Sequence, residues 1–285
     1  MEKNTKPNTL WLLAAFAAPA AHFSGCGWLA AGMATAVILP LSAIPKSWRG
    51  LPKPVALAEV LWLGIVAGSL LPESGKYWPS DSSLAVPLTI LGLAAFTNAA
   101  AAPRVGAMLA FCMALLAVPL AVSGAKEINI AWLRPGFSPV SGGLVLALLF
   151  PALPIGGRGK GVGAAGGLTV LLAALVQGII GMKVAPAVPD AFYQTARSIG
   201  YLEPVVAVGM TLGWYAMTIF MFQCAGEIAE RSGLCRKNAG VLAVGTAAAF
   251  VVLLQQPSGW FLSILSAFLW VLIPFLNKIN KREKR

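Results

Sequence analysis

The stretch PDAFYQTARSIGYLEPVVAVGMTLGWYAMTIF, residues 189–220, changes character halfway along its length. Its first dozen residues are mostly polar or charged, whereas the rest is apolar and almost uncharged. Asp190 is a suitable helix N-cap, and apolar residues then recur on one helical face, namely Phe192, Ala196 and Ile199. We therefore expect residues 190–200 to form a short helix along the outer membrane surface. The chain crosses the membrane from about residue 201.

The composition of the whole chain predicts a membrane protein. Of its 285 residues, 58% are hydrophobic and only 11% are charged, whereas soluble domains carry about a quarter charged residues. Apolar segments long enough to span a bilayer recur throughout: 9–23, 27–44, 54–72, 83–101, 104–124, 139–155, 162–184, 200–226, 238–254 and 259–277. These segments predict an all-α polytopic membrane protein of about ten transmembrane helices. They form a single transmembrane domain over residues 1–285, without a separate soluble domain.

The distribution of basic residues predicts the orientation. With the N-terminus inside, sixteen Lys and Arg residues fall in cytoplasmic loops and tails and five fall outside, which accounts for all 21. This asymmetry is the positive-inside bias of a protein with both termini in the cytoplasm. The pI near 9.8 is thus an orientation signal and does not indicate nucleic-acid binding. The N-terminal segment also fits a signal peptide, whose removal would leave nine spans in the same orientation, but we favour its retention as a span.

Two of the predicted spans are short and interrupted. Segment 9–23 contains Pro19, and segment 139–155 is entered through GFSPVSGG and left through FPALPIGG. Short or Gly/Pro-interrupted spans at matching places in two halves indicate the binding site of a transporter built from inverted repeats. The pattern predicts a LeuT-like arrangement of two five-helix repeats, about 9–124 and 139–277, with interrupted helices 1 and 6. The alternative is that both are ordinary short helices.

Ionisable residues inside spans are functional candidates because their burial is costly. Glu59 lies five residues into the third span, about 8 Å from its inner end. It is either an interfacial anchor, which we favour, or an ion or proton site. Glu203, at the outer end of its span, is expected to be an anchor. Glu227 and Arg231 are spaced i, i+4 and are expected to pair.

The remaining motifs indicate neither catalysis nor a cofactor. GVGAAG, residues 161–166, matches a dinucleotide fingerprint but enters an apolar span rather than following a strand, so close helix packing explains it better. His22 is the single histidine and has no acidic neighbour. The four cysteines show no metal-ligand spacing. We therefore expect no cofactor, no metal and no enzymatic activity.

The order of these segments resembles a known family. VPDAFYQTARSIGYLEPVVAVGMTLGWYAMTIF is similar to the outer helix and eighth span of the B-subunit permease family of bacterial spore germinant receptors, within the amino acid–polyamine–organocation transporter superfamily. Further similarities are GWLAAGMATAVILPL in the second span, INIAWLRPGFSPV before the sixth, and the basic tail NKINKREKR. The resemblance covers nearly the full chain. The chain is shorter than family members, and the acidic residue expected in the sixth span is missing from VSGGLVLALLFPALP.

The resemblance implies a nutrient-sensing germinant-receptor subunit in the cell membrane or inner spore membrane. Such a subunit binds a small molecule such as an amino acid. It acts with an A-type membrane subunit and a C-type lipoprotein. It implies a ligand site near these residues: Pro19, Ser141, Gly142, Gly143, Trp214 and Thr218. Two alternatives stay open, namely an amino acid or small-molecule transporter of the same fold, and a structural subunit without a working pocket.

Overall fold

The computed structural model describes residues 9–22, 52–79, 84–98, 100–124 and 202–253 of the 285. Shorter pieces are also described: 29, 32–33, 35–36, 163, 166–168, 170–171, 174, 193, 197, 261, 264–265, 268–273 and 276. The predicted sixth span lies outside the described residues. The second, seventh and tenth spans are covered only by these shorter pieces.

The regular elements of the described residues are all helical, without any strand. Six α-helices are present: α1 Thr9–His22, α2 Lys53–Leu70, α3 Ala85–Phe96, α4 Ala102–Gly124, α5 Glu203–Arg231 and α6 Arg236–Leu253. A 3-10 helix, Leu71–Tyr77, continues α2, and a π-helical turn spans Phe268–Leu272. These helices correspond to six of the ten predicted spans. The third span is longer than expected because its helical run continues to Tyr77.

Three of the described helical runs are long and apolar enough to cross a membrane: Lys53–Tyr77, Glu203–Arg231 and Arg236–Leu253. Large apolar side chains are also exposed on the outside of the bundle, including Phe96 at 91% and Val241 at 73%. Contiguous exposed apolar surface is unusual for a soluble protein. Both observations are compatible with a membrane protein.

Helix α5 is the centre of the described bundle. It has 29 residues, so it is about 44 Å long, and it contacts each of the other five helices. Helix α1 lies along it, where the Phe220 ring meets the rings of Trp11 and Phe16 at centroid distances of 5.7 and 5.8 Å. Edge-on aromatic contacts of this kind stabilise a core beyond the burial of their area.

Helix α5 ends in a glycine turn that leads directly into α6. Gly233 has φ of 71°, a left-handed conformation that residues with a Cβ rarely adopt. The N–H of Leu234 donates to the Ala229 carbonyl at 2.8 Å, and the Gly233 N–H donates to the Glu230 carbonyl at 3.2 Å. This Schellman-type ending makes α5 and α6 an antiparallel hairpin.

Helices α2 and α6 pack with their backbones in close contact. A Cβ built on Gly64 would lie 2.6 Å from the Ala243 carbonyl oxygen, and one on Gly68 would lie 2.5 Å from that of Ala247. Only glycine therefore fits at either position. Since both numbers increase together along the contact, α2 and α6 are parallel.

The relative directions of the helices are those that the predicted alternation of spans requires. Ala18 of α1 contacts Gly213 of α5, and Trp11 contacts Phe220, so α1 and α5 are antiparallel. Trp11 also packs against Gly106 of α4, and the Gly213 site touches both Ala18 and Met113, so α1 and α4 are parallel. The predicted first, third, fifth and ninth spans thus run opposite to the eighth.

The expected break of the first span at Pro19 is wrong. Helix α1 continues through Pro19 to His22. Proline removes one backbone donor and disturbs the preceding turn, but tight packing of α1 along α5 maintains the helix, with Ala18 fully buried beside Gly213. An interruption of this span therefore does not occur before residue 22.

Candidate functional site

The residues predicted to line a ligand pocket on α5 are part of the helix core. Trp214 and Thr218 are both 0% exposed, and the Thr218 hydroxyl donates to the Trp214 carbonyl at 2.8 Å. Pro19 is also buried, in the turn of α1 that contacts α5 through Ala18 and Gly213. Since α1 and α5 are antiparallel, this contact places Pro19 opposite Leu212, two residues before Trp214 and six before Thr218. The other predicted pocket residues, Ser141, Gly142 and Gly143, lie outside the described residues.

A cleft opens on the neighbouring face of α5, where α3 packs against it. Its volume is about 330 Å³. Its lining is mostly apolar and comprises Trp78, Ala85, Val86, Thr89, Ile90, Leu93, Thr211, Leu212 and Tyr215. Neither Trp214 nor Thr218 belongs to this lining.

Two hydrogen bonds close the ends of the cleft. The indole N–H of Trp78 donates to the Thr211 hydroxyl at 3.0 Å, and the hydroxyls of Tyr215 and Thr97 are 2.9 Å apart. Thr211 and Tyr215 are one turn apart on α5. Thr211 lies three residues before Trp214, and Tyr215 lies three residues before Thr218. Neither residue was predicted from the sequence, although the i, i+4 spacing of two hydroxyl residues in an apolar span is a usable signal.

Glu59 is fully buried in α2. Its exposure is 0%, and so is that of Ala56 and Leu63, which lie on the same helical face one turn before and after it. Neither carboxylate oxygen of Glu59 has a hydrogen-bond partner among the described residues. An interfacial anchor would reach water or a loop cation, so the favoured interpretation of Glu59 is wrong for the described part of the chain. The packed bundle encloses the side chain instead.

The other acidic residues on α5 are paired. Glu227 accepts a hydrogen bond from Arg231 at 2.9 Å, which confirms the predicted i, i+4 pair. Arg236, the first residue of α6, donates to Glu230 at 3.2 Å and to Gln223 at 2.7 Å. These contacts form a charged cluster across the α5–α6 turn, defined here by Gln223, Glu227, Glu230, Arg231 and Arg236.

At the other end of α5, Glu203 binds two residues of the segment that was predicted to lie on the membrane surface. The Tyr193 hydroxyl donates to the Glu203 carboxylate at 2.5 Å, and Arg197 approaches the same carboxylate at 3.9 Å. Tyr193 also packs on Tyr77, with ring centroids 4.9 Å apart. Both Tyr193 and Arg197 are helical. Glu203 is therefore an anchor, as expected, although the sequence did not identify its partners.

The described residues contain no group of three or more His, Cys, Asp or Glu side chains placed to hold a metal ion. Gly166, the last glycine of the GVGAAG motif, packs closely against Thr35. This contact agrees with the role of helix packing that the sequence predicted for the motif.

The geometry defines a class of protein, an all-helical bundle with helices able to cross a membrane. Comparison of the chain with protein-family models and with curated proteins finds no match. The assignment of a function therefore depends on the bundle itself and on the resemblance of the 189–220 stretch.

Proposed function

We propose that the chain is the nutrient-sensing membrane subunit of a spore germinant receptor. In this proposal it binds a small molecule such as an amino acid within its helix bundle. It acts with an A-type membrane subunit and a C-type lipoprotein, in the cell membrane or the inner spore membrane.

The observation that carries the proposal is the position of α5. The stretch with the strongest family resemblance is also the helix that contacts all five other helices of the described bundle. Trp214 and Thr218 lie on this helix where it passes Pro19 of α1. A ligand bound between α1 and α5 would therefore contact α5, the helix against which the other five described helices pack.

A ligand shifts a conformational equilibrium only if it binds two conformations with different affinity. Trp214 and Thr218 are fully buried, so the packed conformation leaves no room for a ligand at these two side chains. In the proposal, a nutrient binds a second conformation in which α1 and α5 separate at this level. Germination would then follow from the change in α5, which also moves the charged cluster at the α5–α6 turn.

The test is deletion of the gene in the source organism, followed by germination assays across a panel of nutrients. Loss of the response to one nutrient supports the proposal, and an unchanged response to all of them contradicts it. Complementation with Trp214→Phe and Thr218→Val, which keep the core filled, should raise the nutrient concentration that is required at an unchanged protein level. Val241→Ala, on an exposed face of α6, is the matched control and should complement fully.

Two measurements on the purified protein separate the alternatives. Uptake of the nutrient into proteoliposomes would assign the same fold to a transporter. Thermal stability that stays constant across the nutrient panel would indicate a structural subunit without a working pocket. A nutrient-dependent increase in stability without uptake is the outcome expected of a sensor.

A further inference from the structure

Glu59 is a buried acid that the proposed ligand site does not use. It is in the second turn of α2, about 9 Å along the helix from Lys53. Gly64 faces Ala243 and Gly68 faces Ala247, and this register extended backwards pairs Val60 with Ala239. Glu59 precedes Gly64 by five residues, so at 100° per residue its side chain projects from nearly the opposite side of α2. Glu59 is fully buried there, so the bundle encloses its carboxyl group on the side of α2 away from α6.

No Lys or Arg of the described residues is bonded to Glu59. Arg231 is bonded to Glu227, and Arg236 is bonded to Glu230 and Gln223. Neither oxygen of Glu59 has a hydrogen-bond partner within the described ranges, so no backbone N–H of α6 donates to it. The favourable field of a helix N-terminus falls off within the first turn, and Glu59 lies beyond the first turn of α2.

Few other ionisable groups lie on the described elements that pack against α2. Those on α2 and its 3-10 continuation are Lys53, Glu73, Lys76 and Tyr77. Those on α5 and α6 are Glu203, Tyr215, Cys224, Glu227, Glu230, Arg231, Arg236 and Lys237. The π-helical turn Phe268–Leu272, which also contacts α2, carries none. Glu73 bonds Lys76 at 2.6 Å, fourteen residues beyond Glu59.

An isolated carboxylate in an apolar interior is unfavourable, and such a group takes up a proton instead. A metal ion needs several oxygen ligands, and the described residues place no group of three or more His, Cys, Asp or Glu side chains to hold one. A proton needs only the carboxyl group itself. We propose that Glu59 is a proton-binding site, occupied when α2 is packed in the bundle and emptied when that packing opens.

Proton binding would therefore favour the packed conformation, since a ligand stabilises the state that binds it better. The proton site depends on the burial of Glu59 within the bundle and not on the proposed nutrient site. A failed germination assay would leave it untouched, and a failure of the experiments below would leave the nutrient proposal untouched.

The first experiment detects the proton directly on the purified full chain in lipid nanodiscs. The infrared spectrum of the Glu59→Gln variant is subtracted from that of the wild type at neutral pH. In this difference spectrum we expect a positive carbonyl band of a protonated carboxylic acid, because the wild type contains the Glu59 carboxyl group and the Glu59→Gln variant does not. Glu203→Gln is the matched control, because Glu203 is half-exposed and bonded to Tyr193, and its difference spectrum should show a carboxylate band instead.

Two results would overturn the assignment. A carboxylate band for Glu59 at neutral pH would show that the site holds no proton. If the band of the protonated acid disappeared on addition of sodium chloride at constant pH, Glu59 would be a cation-binding site and not a proton-binding site.

The second experiment tests the coupling to packing. Val60→Cys places a thiol in the sealed contact, since Val60 is 0% exposed, and alkylation by a water-soluble maleimide is mapped by peptide mass spectrometry. As the pH rises, the alkylation rate in the wild-type background should increase relative to the rate in the Glu59→Gln background. An ionised Glu59 would disfavour the adjacent thiolate and would slow its alkylation. A direct charge effect would therefore lower the alkylation rate in the wild-type background rather than raise it. Identical pH profiles in both backgrounds would contradict the coupling.

Discussion

Glu59 in α2 and the charged cluster at the α5–α6 turn use the same residue type in opposite ways. In the cluster, Glu227 and Glu230 each face an arginine at 2.9 and 3.2 Å. Glu59 has no such partner among the described residues and is 0% exposed. The cluster stabilises the α5–α6 turn, whereas Glu59 forms no hydrogen bond within the described residues.

The difference shows that the surroundings of a carboxyl group determine its role. Ion pairs at a partly exposed turn are stabilised by solvent and by their partners, and each contributes modestly. A buried acid without a partner costs stability as an anion and is tolerated as a neutral group.

Gly68→Leu should cause the largest loss, because it opens the close contact between α2 and α6. A side chain there meets the backbone of Ala247 at 2.5 Å, and overpacking of this kind costs about 1–3 kcal/mol of unfolding free energy. Gly240→Leu is the control, since a Cβ at Gly240 meets no atom within 4 Å. Thermal unfolding in detergent measures both, and equal stability of the two variants would contradict the packing.

Arg236→Gln should destabilise the α5–α6 turn by about 1 kcal/mol, discounted for its exposure. Its side chain is 35% exposed and joins Glu230 to Gln223. Lys237→Gln changes the same charge one residue later, at an exposed position, and should have almost no effect. If the two variants unfolded alike in a denaturant titration, the cluster would have no role in holding the turn.

Tyr193→Phe should cost slightly less, about 0.5–1 kcal/mol, through the lost hydrogen bond to Glu203. A double-mutant cycle with Glu203→Gln isolates this pair. The two changes should be less than additive in chemical denaturation, because each removes the same bond. Strict additivity would show that the contact contributes nothing to stability.

Glu59→Gln should leave the unfolding free energy nearly unchanged at neutral pH, because glutamine has the shape of the neutral acid. This outcome separates Glu59 from the charged cluster, where loss of one partner leaves the other unpaired. Glu230→Gln, measured in the same thermal assay, should be the more destabilising of the two. A large loss for Glu59→Gln alone would mean that its carboxylate is bonded in the folded protein.

Cys235 gives the smallest effect, a shift in reactivity without a change in stability. The backbone N–H groups of Asn238 and Lys237 at the start of α6 lower the pKa of this exposed thiol. Since a lowered pKa populates the thiolate at lower pH, alkylation by a water-soluble maleimide should begin below the pH at which a model thiol reacts. Cys112, half-buried in α4, is the internal control. A pH–rate profile matching that of the model thiol would contradict the shift.

The helices themselves were largely predictable because their signal is local. Apolar runs and their lengths placed α1, α4 and α6 within two residues at each end, and the i, i+4 rule predicted the Glu227–Arg231 pair. The end of the third span was misjudged because LPESGKY is polar in sequence, yet the segment is helical and Glu73 is buried beside Lys76. Pro19 was misjudged because packing along α5 maintains a helix that local propensity disfavours.

Residue order and composition were sufficient to predict the helical class, the approximate bounds of the six described spans and the relative directions of the first, third, fifth, eighth and ninth. All three depend on properties of contiguous residues: apolar length, helical periodicity and loop charge. The burial of Glu59, the attachment of Tyr193 to Glu203 and the cleft beside Tyr215 depend on residues far apart in the chain. Such contacts exist only after α2, α5 and α6 have packed, because the free energy of a buried acid is set by the atoms around it.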